Sequence, residues 1–241
     1  MYIRKQEFQI YNPIIFIPTK DRPRSLSRCL ASLKENGNNI KVVVLGDHNG
    51  TTSINIDNNK KICTDYKAEY TDHTKKGLNA IYNLGISIAQ KRNYDTFVFC
   101  NDDVVFYQSS WWPEVAETLD KEPYIVPFCR PNGWSAVAFT DKLIKAVGGF
   151  LDEGYKSGGW EDDDLCLTLA AFCCKIPSDA YSEKLIHYRN LVAHRPIGEG
   201  SQWNHSINSR YFHTKWKEVN SDHPAARRRK QSDKYYVPIV I

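Results

Sequence analysis

The sequence predicts a single-domain α/β protein with a mostly parallel central sheet and helices on both faces. Three observations predict it. Short apolar runs of strand length occur without polar interruption, as in strands buried on both faces. Longer stretches between them carry apolar residues at helical spacing. Strand-like and helix-like segments alternate through the first hundred residues, the pattern of β-α-β units. The length of 241 residues fits one large domain.

Residues 13–19 (PIIFIPT) read as a buried strand. In residues 24–34 (RSLSRCLASLK), Leu26, Cys29, Leu30 and Leu33 share one helical face, and Gly37 is a stop. Residues 40–45 (IKVVVL) form a second strand, ending in the turn-forming residues 46–50 (GDHNG). Residues 77–92 place Leu78, Ile81, Tyr82, Gly85, Ile88 and Ala89 on one face of a helix, and residues 96–100 (TFVFC) are a third strand. Beyond it, Trp111-Trp112-Pro113 opens a helix to Leu119. Residues 124–128 and 135–140 read as strands, and residues 141–147 as a short helix stopped by Gly148-Gly149. Residues 165–174 read as an apolar helix, and after Tyr181 the chain turns aromatic, basic and His-rich.

Composition is that of a soluble protein with a sizeable core, 41% apolar and 25% charged. No stretch approaches the roughly 20 apolar residues needed to cross a bilayer, and the N-terminus lacks a signal-peptide pattern. The seven cysteines form no CxxC pair. Both features lead us to expect a reduced, cytoplasmic protein. The Asn-x-Ser/Thr triplets at Asn49 and Asn204 are then chance matches. Net charge is +4, with a dense cluster at Arg227-Arg228-Arg229-Lys230 that is either a solvated arm or a surface for phosphates or anionic lipid.

Two acidic clusters carry the chemistry. Asn101-Asp102-Asp103 follows a hydrophobic strand directly, at the end of the sheet where α/β proteins bind ligands. Adjacent carboxylates repel unless a cation offsets them, and Mg²⁺ or Mn²⁺ shared with substrate phosphates does so. An Asx-type turn is the competing account. The second cluster, Glu161-Asp162-Asp163-Asp164, follows Gly158-Gly159-Trp160. Helix capping explains one or two of these carboxylates, and the surplus suits a general base for an attacking hydroxyl.

Four segments, in order, resemble the GT-A glycosyltransferases, above all the inverting family 2. They are residues 15–22 (IFIPTKDR) with the helix after them, Gly77 with Asn83-Leu84-Gly85, residues 97–104 (FVFCNDDV), and Val147-Gly148-Gly149-Phe150 leading to residues 159–165 (GWEDDDL). The Glu-Asp-Asp-Asp run is also similar to the acceptor block of β-1,4-galactosyltransferases. The resemblance spans roughly residues 13–215 and divides the domain into a nucleotide-sugar half to about residue 105 and an acceptor half over 106–220. A basic, then apolar, tail follows over 221–241.

The resemblance implies a nucleotide-sugar donor of UDP or GDP type. It places Pro18, Thr19, Arg22, Asp47, Lys76, Gly77, Asn83 and Asp102 around that donor, Lys76 being a solvated lysine on the plainer account. It implies Mn²⁺ or Mg²⁺ on Asp103 and His194, although a histidine at a strand end is commonly structural. Asn101 stands where the family's DxD motif begins with aspartate, and supplies only a neutral oxygen. Asp162 becomes the base, with inversion at the sugar carbon. Trp134, Trp160, Glu161 and Asp163 line the acceptor, though core packing accounts equally for the two tryptophans. Residues 195–216 resemble a lid over the diphosphate. The acceptor is a glycan, lipid-linked sugar or protein. A nucleic-acid acceptor, motivated by the basic cluster, is the alternative, followed by a nucleotidyltransferase or a non-catalytic binding protein.

Overall fold

The structure, a computed structural model, describes residues 11–121, 125–129, 134–149, 151–156, 159–165, 188, 190–197 and 205–216. A six-stranded sheet has the order β3-β2-β1-β4-β7-β6. Its strands are β1 (Pro13–Thr19), β2 (Lys41–Asp47), β3 (Glu69–His73), β4 (Thr96–Cys100), β6 (Ile125–Cys129) and β7 (Ala136–Thr140). The pairs β1–β2, β1–β4 and β2–β3 are parallel, and β7 runs antiparallel to both β4 and β6. One strand therefore opposes five, as the apolar runs predicted. A separate two-stranded ribbon joins β5 (Val104–Phe106) to β8 (Val192–His194).

The period-2 alternation of the strands divides the core into two layers. Ile15, Ile17, Val44, Val98 and Cys100 face α1 (Pro23–Asn36) and α4 (Trp111–Lys121), meeting Leu26, Cys29, Leu30, Val115 and Leu119. Ile14, Phe16, Val43, Phe97 and Phe99 face α3 (Leu78–Lys91) and α5 (Asp141–Ala146), meeting Ile81, Tyr82, Ile86 and Leu143. Each such fully buried side chain contributes about 1.5–3 kcal/mol of transfer free energy. Strands sandwiched this way have no solvent face, so their uninterrupted apolar sequence is what the fold requires.

The start of α1 is set by Pro23 at its first turn, where a missing N–H costs nothing. The N-cap residue, Arg22, makes no side-chain cap, which leaves its guanidinium available for the sheet edge. Two elements in the first half carried no sequence signal. Helix α2 (Ser53–Asp65) buries only Asn59 and Cys63, and the edge strand β3 buries only His73. A polar edge strand has no alternation to read, and α2 is held by a Thr52 side chain accepting from Asn55 N–H at 3.3 Å. The last described helix, α6 (His205–Lys215), lies within the stretch expected to form a lid.

Gly77 holds the entry to α3 at φ +89°, and an added Cβ would come within 1.7 Å of the Tyr155 carbonyl oxygen. Backbone therefore packs on backbone where α3 meets residues 151–156. We expect Gly77→Ala to destabilise the protein by at least about 1–3 kcal/mol, the range for a forced left-handed residue. Urea denaturation reads this as a lower midpoint at unchanged slope.

Candidate active site

Both halves of the first acidic pair are buried. Asp102 and Asp103 are 2% and 4% exposed, just past the carboxyl end of β4. Two adjacent ionised carboxylates in such a place require compensation, and three elements converge to supply it. Arg22, from the start of α1, spans the pair, with Nη1 2.7 Å from Asp102 Oδ1 and Nη2 2.6 Å from Asp103 Oδ2. Thr19, the last residue of β1, donates its hydroxyl to Asp102 Oδ2 at 2.8 Å. His194 Nε2 lies 3.0 Å from Asp103 Oδ2. The ribbon sets that last contact, because Val104 pairs with His194 and Arg195 N–H donates to the Asp103 carbonyl at 2.8 Å. Burial pushes the Asp103 carboxyl up, but the hydrogen bonds and charges of His194 and Arg22 outweigh it and hold the group below the ordinary carboxylate value.

Asp103 Oδ1 is buried without a hydrogen-bond partner. A carboxylate oxygen left bare beside an imidazole is the donor set that a hard divalent cation accepts. Asp103 Oδ1, with the His194 ring beside it, could thus take a divalent cation whose other ligands came from elsewhere. No group of three or more His, Cys, Asp or Glu suited to a metal occurs among the described residues, and an ion completed by substrate needs none.

Of the other residues expected around a donor, Pro18 and Asp47 lie at the same sheet edge. Pro18 pairs with Leu45, one step before Thr19. Asp47, at the end of β2, accepts from Asn49 N–H at 2.7 Å and lies 3.5 Å from Lys20 Nζ. Lys76 is exposed, immediately before Gly77. Asn83 is committed elsewhere. Its Nδ2 donates to the Leu151 carbonyl at 2.8 Å and its Oδ1 accepts from Leu151 N–H at 2.9 Å, so this side chain anchors the segment after Gly149. Sequence reasoning missed the accompanying anchor, Asn79, whose Nδ2 donates to the Asp152 carbonyl at 2.9 Å. Its position one turn before Asn83 was the available signal.

The second acidic cluster begins a helical stretch over residues 161–165. Asp162 and Asp164 are buried, at 8% and 3% exposed. Asp164 is taken up by Trp216 Nε1 at 2.7 Å and Lys215 Nζ at 2.8 Å. Asp162 Oδ1 accepts from Asp163 N–H at 3.1 Å. Burial, and then the neighbouring Asp162 charge, raise Glu161 to about 8, and its Oε2 is buried without a partner. Tyr82 links this cluster to the first. Its ring lies 4.1 Å from that of Phe99 on β4, and burial followed by the charges of Glu161 and Asp162 pushes its phenol well above the ordinary value.

The two tryptophans differ in setting. Trp134 packs edge-on to Phe139 with Nε1 buried and unpartnered, and the adjacent Ser135 carbonyl accepts from Asn101 N–H at 2.8 Å. Trp134 thus stands beside the first cluster. Trp160 adopts φ +74° and packs against Phe212 and His213 of α6, each at 5.2 Å. The described part of the expected lid therefore contacts residues 152–164, including Asp152, which no sequence signal marked. The basic cluster at 227–230 and most of the 165–174 helix lie outside the described residues.

An α/β sheet with a buried aspartate pair at its carboxyl edge and a second acidic cluster beyond it is the architecture of the GT-A glycosyltransferases. The family description "Glycosyl transferase family 2" matches residues 14–178, and the chain belongs to that family. None of the curated proteins matches it. Among solved structures it is similar to residues 1–349 of S. aureus TarS, with TM-score 0.50 and 11% identity over 87% of this chain and 74% of that one. It is also similar to the mannosyltransferase PcManGT from Pyrobaculum calidifontis in complex with GDP-Man and Mn²⁺, with TM-score 0.50 and 12% identity over 94% of this chain and 66% of that one. The match to the longer S. aureus TarS chain spans 33% of that protein's length. At these identities the likeness is one of fold. No helix among the described residues is long and apolar enough to cross a membrane.

The raised Glu161 carboxyl gives a pH test of this geometry. The folded protein keeps a proton on Glu161 up to about 8, whereas the unfolded chain releases it near 4.5. This contribution to stability is complete below 4.5 and lost as pH rises toward 8. Glu161→Gln should match wild type at acid pH and exceed it above that window, as denaturant midpoints across pH would show.

Proposed function

We propose that the protein transfers a sugar from a nucleotide-sugar donor, of UDP or GDP type, to an acceptor hydroxyl with inversion. One observation carries the reading: Thr19, Arg22, Asp102, Asp103 and His194, drawn from four separate parts of the chain, meet at the carboxyl edge of a family 2 sheet. Ligands of open α/β sheets bind at that edge.

The donor diphosphate would lie near Asp103 and His194, with the nucleoside along Pro18, Thr19, Asp47, Lys76, Gly77 and Asp102. Asp103 and His194 would hold a Mn²⁺ or Mg²⁺ ion, which would supply positive charge against the departing diphosphate. Arg22 bridges Asp102 and Asp103 and orients both carboxylates. The acceptor rests on Trp134 and Trp160, beside Glu161 and Asp163. Its hydroxyl oxygen attacks the anomeric carbon from the face opposite the diphosphate. The new C–O bond forms as the bond to the phosphate oxygen breaks, and that oxygen takes the electron pair. Asp162 receives the hydroxyl proton. Glu161, whose carboxyl burial and the neighbouring Asp162 raise to about 8, stands beside that base. Glycan, lipid-linked and protein acceptors share this chemistry.

A thermal-shift panel of UDP- and GDP-sugars, with and without Mn²⁺, tests the reading. A cognate donor at 100 times its Kd should stabilise the protein by about 2.7 kcal/mol, and the shift should depend on Mn²⁺. Absence of a shift with every donor would refute it. With the cognate donor, Asp162→Asn should lower kcat by about 10²- to 10⁴-fold while the donor-induced shift persists. Retained activity would remove Asp162 from the role of base.

A further inference from the structure

We propose that helix α6 is the positioning element for the catalytic acidic segment, acting mainly through Asn208; this rests on the glycosyl-transfer reading above. Asn208 is fully buried and uses both ends of its amide on one short stretch of chain. Its Oδ1 accepts from Lys156 N–H at 3.0 Å, and its Nδ2 donates to the Gly159 carbonyl at 2.9 Å. The side chain therefore ties together the two ends of the stretch that delivers Trp160 and Glu161.

Trp160 needs that support. Its φ of +74° lies in the left-handed region that a bulky side chain adopts only when its surroundings impose it. The surroundings are again α6, whose Phe212 and His213 rings pack on the indole. The far end of the segment is held by the same helix. Trp216 Nε1 and Lys215 Nζ both engage Asp164, and Lys215 reaches Asp152 as well. Residues 160–163 are thus bracketed, at Gly159 and at Asp164, by one helix and the residue after it. From the opposite side, Asn79 and Asn83 of α3 fix Leu151 and Asp152.

This arrangement gives α6 a function that a cover over the diphosphate would not have. It sets where Asp162 stands relative to an acceptor hydroxyl. Rates fall by about 10²-fold for a misplacement on the order of 1 Å, so loosening the bracket should act on turnover. The diphosphate-side residues Thr19, Arg22, Asp103 and His194 are not touched by the bracket, which meets the donor side where Gly77 packs on Tyr155 and Lys156.

The test uses the full chain with Asn208→Ala and, separately, Trp216→Phe, which removes the indole N–H but keeps an aromatic ring. Three measurements are made: affinity for UDP and GDP with Mn²⁺ by calorimetry, kcat and KM for the donor that wild type turns over, and amide exchange at residues 159–165. We expect kcat to fall at least about tenfold, with nucleotide affinity and donor KM unchanged and exchange faster in 159–165. A folded variant with unchanged kcat, or one that loses nucleotide affinity in parallel, overturns the inference. If Asn208→Ala does not fold, Trp216→Phe decides on the same criteria. A wild type that neither binds a nucleotide nor turns over a donor overturns the proposed function, and this inference with it. An active wild type beside unaffected variants overturns the positioning role alone.

Discussion

The first site depends on the burial of two adjacent carboxylates at the end of a hydrophobic strand. Asp102 and Asp103 cannot stay ionised there unless opposite charge and hydrogen-bond donors approach closely. The fold meets that requirement from far along the chain: β1 supplies Thr19, the uncapped start of α1 supplies Arg22, and the β5–β8 ribbon supplies His194. Removing any one strands charge in a nearly dry site, so the pair welds the β1–α1 connection to His194 on β8. It also leaves one acceptor oxygen, Asp103 Oδ1, without a protein partner.

The second acidic cluster is organised on another physical basis. Its neighbouring charges are separated by function: Asp164 is absorbed by Lys215 and Trp216, whereas Glu161 is pushed toward its neutral form by burial and by Asp162. A run of four carboxylates would be costly if all four carried full charge in one buried turn. The structure divides the load, pairing Asp164 with Lys215 and Trp216 and favouring the neutral form of Glu161. That division follows from packing between α3 and α6, with Tyr82 and Phe99 joining it to the strand that ends at the first pair.

Much of this was legible in the sequence. β1 and β4 occupy the residues their apolar runs marked, and the α3 and α4 boundaries shift by only a few residues. The resemblance placed Arg22 with the donor and Asp103 and His194 on a metal, and in the structure the Arg22 and His194 side chains both reach Asp103. What escaped did so for physical reasons. α2 and β3 are polar because each buries almost nothing, so periodicity had no apolar face to detect. β5 and β8 are three residues each, too short to alternate. Asn83 looked like a pocket residue, yet its amide is spent on Leu151, a partner 68 positions away that no local pattern announces.

The sequence by itself determined the sheet, its burial on both faces and the two acidic clusters, because hydrophobic period and strand-end carboxylates are local properties. Only the tertiary structure decided how those carboxylates are used. Whether a buried acid is ionised, paired or left with a bare oxygen depends on which distant groups the chain brings within about 3 Å. At Asp103 those groups are Arg22 and His194; at Asp164 they are Lys215 and Trp216.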